Sequence, residues 1–158
     1  MSDTLSIAEI LKKCGNLRSK QEKIEFLQKH NSLTLRNILI LTYDKTKNIL
    51  LPDEEPPYTP SQAHENQGML FNQSRKLKYF VEGYSPPGVK QIKREAIFIE
   101  MLESVHRDDA KILIQMIQRK PFNGITKNII NEAFPGSIAD GKEEKLSWLG
   151  WRSRILSN

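Results

Sequence analysis

The sequence predicts an all-α fold, a single compact multi-helix domain with a proline-rich surface loop and a short C-terminal amphipathic tail. Apolar residues recur at helical spacing along most of the chain, no stretch shows convincing two-residue alternation, and Ser19 and Thr126 stand where helix caps belong. The 158 residues suffice for one domain with a sizeable core and are too few for two comfortable ones. No internal repeat is visible. The domain is expected over residues 1–141 and the tail over 142–158.

The first helix, about residues 4 to 14, places Leu5, Ile7, Ile10 and Leu11 inward and ends at Gly15. A second opens at Ser19, whose spacing to Glu22 is that of a capping box, and buries Ile24 and Leu27 before stopping near Asn31. The third, from about Ser32 to Tyr43, is apolar on several sides through Leu33, Leu35, Ile38, Leu39, Ile40 and Leu41, as a central helix would be. Pro52, Pro56, Pro57 and Pro60 break the pattern, so residues 46–66 read as an acidic loop draped over the body.

Helix resumes from about Met69 to Val81, with Leu70, Leu77, Phe80 and Val81 inward. After Gly83–Gly88 another runs from about Lys90 to Val105. Asp108 or Asp109 is expected to cap the next, through Ile117, which Lys120–Pro121 ends. The tail gathers Leu146, Trp148, Leu149, Trp151, Ile155 and Leu156, with an apolar side that fits the chain's own core, a second copy or a partner.

The formal charge is +5 and 38% of residues are hydrophobic, as in a soluble globular protein. No apolar run approaches the roughly 20 residues of a membrane span, and the first residues lack the basic start and apolar stretch of a signal peptide, so a cytoplasmic protein is expected. Cys14 is the only cysteine, which rules out an internal disulfide, and its expected fate is burial near the end of the first helix. His30, His64 and His106 show no metal-ligand spacing. Neither metal nor cofactor is expected. There is no nucleophile elbow, P-loop or dinucleotide glycine pattern, and the paired acids Glu54–Glu55, Asp108–Asp109 and Glu143–Glu144 match no ligand motif. The expectation is a protein without catalysis.

The chemistry the sequence offers is phosphate contact. From residue 69 to 95, Arg75, Lys76, Lys78, Lys90, Lys93 and Arg94 face only Glu82 and Glu95. A second cluster, Arg119, Lys120 and Lys127, flanks Gly124, which lets a backbone approach a partner, and Thr126, which caps a short helix. Each feature has a plainer reading: the cations as a solvated face, and Ile125, Ile129, Ile130, Ala133 and Phe134 as the inner side of an ordinary core helix. The phosphate reading requires the cations to converge in the fold.

Several short strings occur in a familiar order: Lys20–Lys23 with Leu27–His30, Leu33 through Tyr43, Ser74–Leu77, then Gly124–Thr126 with Ala133–Ile138. In that order and spacing, over about residues 5 to 138, the chain resembles the N-terminal helical DNA-binding domain of T-even-type phage ATP-dependent DNA ligases and related small phage proteins. The resemblance implies a phage protein in the host cytoplasm that grips duplex phosphates, with Arg75, Lys76, Gly124, Thr126 and Lys127 as contacts. The ligases' Lys-x-Asp-Gly motif has no counterpart, since Ile138-Ala-Asp-Gly141 carries isoleucine in place of the lysine, so ligation by this chain alone is excluded.

The functional expectation is a non-catalytic protein binding the backbone of double-stranded DNA. The proposed contacts are Arg75, Lys76, Lys78, Lys93, Arg119, Lys120, Gly124, Thr126 and Lys127. The alternative is an interaction protein that binds a phage or host protein, such as a polymerase, replication factor or virion component. It would use the proline loop or Trp148 and Trp151, since exposed tryptophans are frequent interface anchors.

Overall fold

The computed structural model describes residues 5–62 and 69–138. Among them, seven α-helices and one 3₁₀ helix follow in order: α1 (Ile7–Gly15), α2 (Lys20–Lys29), α3 (Leu33–Tyr43), α4 (Met69–Gln73), the 3₁₀ helix Ser74–Phe80, α5 (Gln91–Ser104), α6 (Arg107–Ile117) and α7 (Lys127–Ala133). The all-α prediction holds for these residues, whose β pairing is confined to an isolated antiparallel bridge between Ile49 and Val81. Trp148, Trp151 and the rest of the tail lie outside the described residues.

Local chemistry explains most helix starts. At α1 the Ser6 hydroxyl accepts from the Glu9 amide at 3.2 Å, and the Glu9 carboxylate accepts from the Ser6 amide at 2.9 Å. This capping box sets the start later than the apolar pattern suggests. Ser19 and Glu22 form the box expected at α2, and the Ser32 hydroxyl caps α3.

The expected cap of α6 is corrected. His106 holds that position, with Nδ1 accepting from the Asp108 amide at 3.1 Å. Asp109 is only 1% exposed, and its Oδ1 accepts from the Ala8 amide at 2.9 Å, so a side chain of α6 satisfies the first turn of α1. Burial holds the Asp109 carboxyl above the usual carboxylate range, opposed by that amide bond.

α3 is central, with Leu35, Ile38 and Leu39 fully buried, and it packs on α6. Leu33 is not part of that core. It is 65% exposed in the first turn of α3. α6 also packs on α1 and α5, while α2 packs on α7. Cys14 is buried as expected, and burial pushes its thiol up to about 11.

The segment 69–81 differs from the single helix expected. After α4 the chain tightens into 3₁₀ geometry, where residues three apart eclipse one another. That threefold period sorts the side chains by edge. Ser74, Leu77 and Phe80 form the inward edge: the Ser74 hydroxyl pairs with that of Thr34 at 2.8 Å, and Leu77 and Phe80 are buried. Arg75 and Lys78 form an exposed edge, and Lys76 and Tyr79 a half-buried one.

The proline-rich loop drapes over this region. The Leu50 amide donates to the Phe80 carbonyl at 2.7 Å and the Glu82 amide to the Asn48 carbonyl at 2.9 Å. Farther along, the Thr59 amide donates to the Glu103 carboxylate at 2.8 Å.

Candidate nucleic-acid interface

The 3₁₀ helix contacts α5, and between them lies a groove of about 480 Å³ lined by Arg75, Lys76, Lys78, Tyr79, Lys93, Ile97 and Glu100. Four of the cations singled out in the sequence meet there. On α5 the contributors Lys93, Ile97 and Glu100 are spaced i, i+4 and i+7, which places them on one helix face. On the 3₁₀ helix the eclipsed pair Arg75 and Lys78 lies about 6 Å apart along the axis.

Among the described residues, no hydrogen bond or ion pair engages the cationic ends of Arg75, Lys76, Lys78 or Lys93. The Lys78 ammonium lies over the Tyr79 ring, 5.8 Å from its centre, a distance at which the ring quadrupole attracts it. Tyr79 and Ile97 are half-buried and supply an apolar element beside the charges.

Arg94, one residue past Lys93, has a different task. Its Nε donates to the Tyr79 carbonyl at 2.9 Å, its Nη1 to the Gln91 side chain at 2.5 Å, and its Nη2 to the Ser85 hydroxyl and the Val89 carbonyl, both at 3.3 Å. It therefore ties the 3₁₀ helix and the loop before α5 to α5 itself. This fixes the distance between the two walls of the groove.

The second predicted cluster does not join this groove. Arg119, Lys120, Gly124, Thr126 and Lys127 are absent from its lining. Thr126 caps α7 as expected, its hydroxyl accepting from the Ile129 amide at 3.2 Å. Yet α7 has seven residues, and the turn before it serves the interior. A Cβ built on Gly124 would lie 2.9 Å from Gly15 Cα and closer still to the Gly15 carbonyl oxygen, so the open backbone is occupied by α1 rather than offered to a partner. The Lys23 ammonium also donates to the Gly124 carbonyl at 2.7 Å. Ile125, Ile129, Ile130, Ala133 and Phe134 are buried, as the plainer reading of this segment has it.

Arg119 is likewise committed internally. Its Nη1 donates to the Asp44 carbonyl at 2.8 Å and its Nη2 to the Lys47 carbonyl, which binds the chain just after α3. Burial lowers its pKa, and Asp44 opposes that shift. Arg119 has φ +58° and ends α6 in a Schellman motif, the Lys120 amide donating to the Gln115 carbonyl and the Arg119 amide to the Met116 carbonyl. A left-handed arginine is strained where glycine would be relaxed, and the two carbonyl contacts account for its presence. Lys120 and Lys127 are exposed and are not part of the groove's lining.

Tyr43 completes this interior framework. Its hydroxyl accepts from the Phe122 amide at 2.8 Å and donates to the Ile125 carbonyl at 2.6 Å, and burial pushes its pKa up to about 12. Sequence reasoning missed Tyr43, whose partners are distant in sequence, and Glu100, which stands beyond the basic segment; Arg94, counted there among the cations open to a partner, is instead spent on internal bonds.

The family matched is DUF6433, a family of unknown function, over residues 10–121. The chain belongs to that family. The matched span of DUF6433 contains every residue lining the groove and stops before the Gly124 turn. No curated protein matches the chain. Among the described residues, no helix is long and apolar enough to cross a membrane, and no three His, Cys, Asp or Glu side chains cluster as a metal site.

Proposed function

We propose that this DUF6433 chain is a non-catalytic nucleic-acid-binding protein that grips the backbone of duplex DNA through the groove between the 3₁₀ helix and α5. The observation that carries the reading is the gathering of Arg75, Lys76, Lys78 and Lys93 around one groove, their cationic ends unengaged among the described residues and accompanied there by a single carboxylate, Glu100. Cations held close together without internal partners attract a polyanion and release its counterions on contact. The resemblance of Ser74–Leu77 to the phage ligase domain supports the same direction and suggests a phage protein acting in the host cytoplasm. The contacts proposed at Gly124 and Arg119 are withdrawn, because the fold uses those groups internally.

The test is fluorescence anisotropy of a short labelled duplex over a salt series. Four phosphate contacts give a log–log salt slope of about −3 to −4. The double substitution Arg75→Glu and Lys78→Glu is expected to weaken binding at least about tenfold and flatten the slope by about 2. Lys120→Glu with Lys127→Glu is expected to do much less. Equal losses in the two variants would overturn the assignment of the groove. A natural chain that binds no duplex even at low salt would favour the protein-binding alternative.

A further inference from the structure

We infer, on the reading of the groove as a phosphate-binding surface, that Gln91 is a positioning residue through which the start of the proline-rich loop braces the groove's two walls. Gln91 opens α5 and uses its whole side-chain amide. Its Nε2 donates to the Leu50 carbonyl and to the Glu95 carboxylate, each at 2.9 Å, and its Oε1 accepts from Arg94 Nη1 at 2.5 Å. Arg94 in turn donates to the Tyr79 carbonyl, and the Leu50 amide donates to the carbonyl of the next residue, Phe80. The bonds close a ring that runs from Gln91 through Arg94 to Tyr79, on to Phe80, and back through Leu50 to Gln91.

Tyr79 and Phe80 end the 3₁₀ helix, where carbonyls have no partner within the helix. α5 satisfies one of them through Arg94 and the loop satisfies the other through Leu50, so the wall that carries Arg75, Lys76 and Lys78 is tied down at this end from two sides. Joining those two ties takes a side chain that donates and accepts at once. A glutamate at 91 would keep Arg94 and lose Leu50, and a lysine would do the reverse. The bridge between Ile49 and Val81 and the bond from the Glu82 amide to the Asn48 carbonyl continue the brace along the chain. Gln91 is itself exposed and absent from the groove's lining, so it acts on a bound phosphate through the walls and not by contact.

The experiment measures anisotropy of a short labelled duplex over a salt series for the natural chain, Gln91→Met, Leu50→Pro and the two combined, with amide hydrogen exchange of Leu50 in the natural chain and in Gln91→Met. Methionine keeps the length and neutrality of glutamine without its donors, and proline removes the amide that meets Phe80. Each single variant is expected to lower duplex affinity about three- to tenfold, the worth of one or two net hydrogen bonds. The salt slope should stay, since no cation is lost, and the double variant should fall little further, because both changes open the same ring. The Leu50 amide should exchange faster in Gln91→Met. Unchanged affinity or unchanged Leu50 exchange in Gln91→Met, a flattened slope, or losses that multiply in the double variant would overturn the inference while leaving the groove itself in place. Duplex binding that is absent from the natural chain, or indifferent to Arg75→Glu with Lys78→Glu, would instead remove the underlying reading of the groove.

Discussion

Gly15 and Gly124 lie backbone to backbone: a Cβ on Gly15 would collide with the Asn123 carbonyl, and one on Gly124 with the carbonyl of Gly15. The end of α1 and the turn before α7 share one contact that admits no side chain from either residue. Lys23 closes it from α2 through the Gly124 carbonyl.

Gly15→Ala should therefore lower the unfolding free energy by about 1–3 kcal/mol, the usual cost of forcing an extra carbon into a filled space. Gly124→Ala should cost more, because the residue also has φ +77°. Thermal melts followed by circular dichroism will rank the two; an unchanged melting temperature in either would contradict the contact.

Arg119 separates backbone strain from side-chain bonding. Arg119→Ala loses both carbonyl bonds and keeps the strained φ, whereas Arg119→Gly loses the bonds and relaxes the backbone. The glycine variant should be the more stable of the two by about 1 kcal/mol in urea denaturation. A more stable alanine variant would mean that the left-handed conformation carries no strain here.

Asp109 gives a pH dependence whose sign follows from its burial. Its carboxyl is raised in the folded state by desolvation, with Asp108 and Glu9 adding to the rise and the Ala8 amide and His106 opposing it. A raised carboxyl binds its proton more tightly when folded, so the group's contribution is fully present below the unfolded carboxylate pKa and is lost as pH rises through the folded value. Asp109→Asn keeps an acceptor for the Ala8 amide and removes the buried charge. Relative to the natural chain, its stability should therefore increase as pH rises from the acid side of the carboxylate range toward neutrality. Asp109→Ala, lacking the acceptor, should lose about 1–3 kcal/mol. Denaturation curves across that range check both signs.

Arg94 tests whether groove geometry matters apart from groove charge. Arg94→Lys preserves net charge but cannot reproduce the four bonds to Tyr79, Gln91, Ser85 and Val89. Duplex affinity should fall about three- to tenfold with the salt slope nearly unchanged, since the phosphate-facing cations remain. An unaltered affinity would show that charge alone suffices.

The parts of this fold that are legible in sequence are those decided within a few residues. Ser19 with Glu22, Ser32 before Leu33, and Thr126 before the Ile129–Ile130 pair each announce a helix start that the structure keeps. The segment Ser74–Phe80 misled because Leu77, Phe80 and Val81 satisfy an α-helical reading, while their burial follows a threefold period. Gly124 misled for another reason: a glycine admits close approach without saying whose backbone approaches, and Gly15 lies far away in sequence. The convergence of Lys93 with Arg75 and Lys78 was anticipated as a cluster of charge, but its walls depend on Arg94, and its carboxylate, Glu100, falls just past the basic run.

The packing of α2 on α7 also has a consequence for a chain emerging from the ribosome. Ile24 and Leu27 belong to the same core as Ile129, Ile130 and Ala133, Lys20 pairs with Glu132 at 2.5 Å, and Gln28 donates to the Ala133 carbonyl at 3.2 Å. The inner face of α2 thus waits for α7, about a hundred residues later, before it is shielded from water. A chain that stops before α7 leaves that face of α2 without its cover.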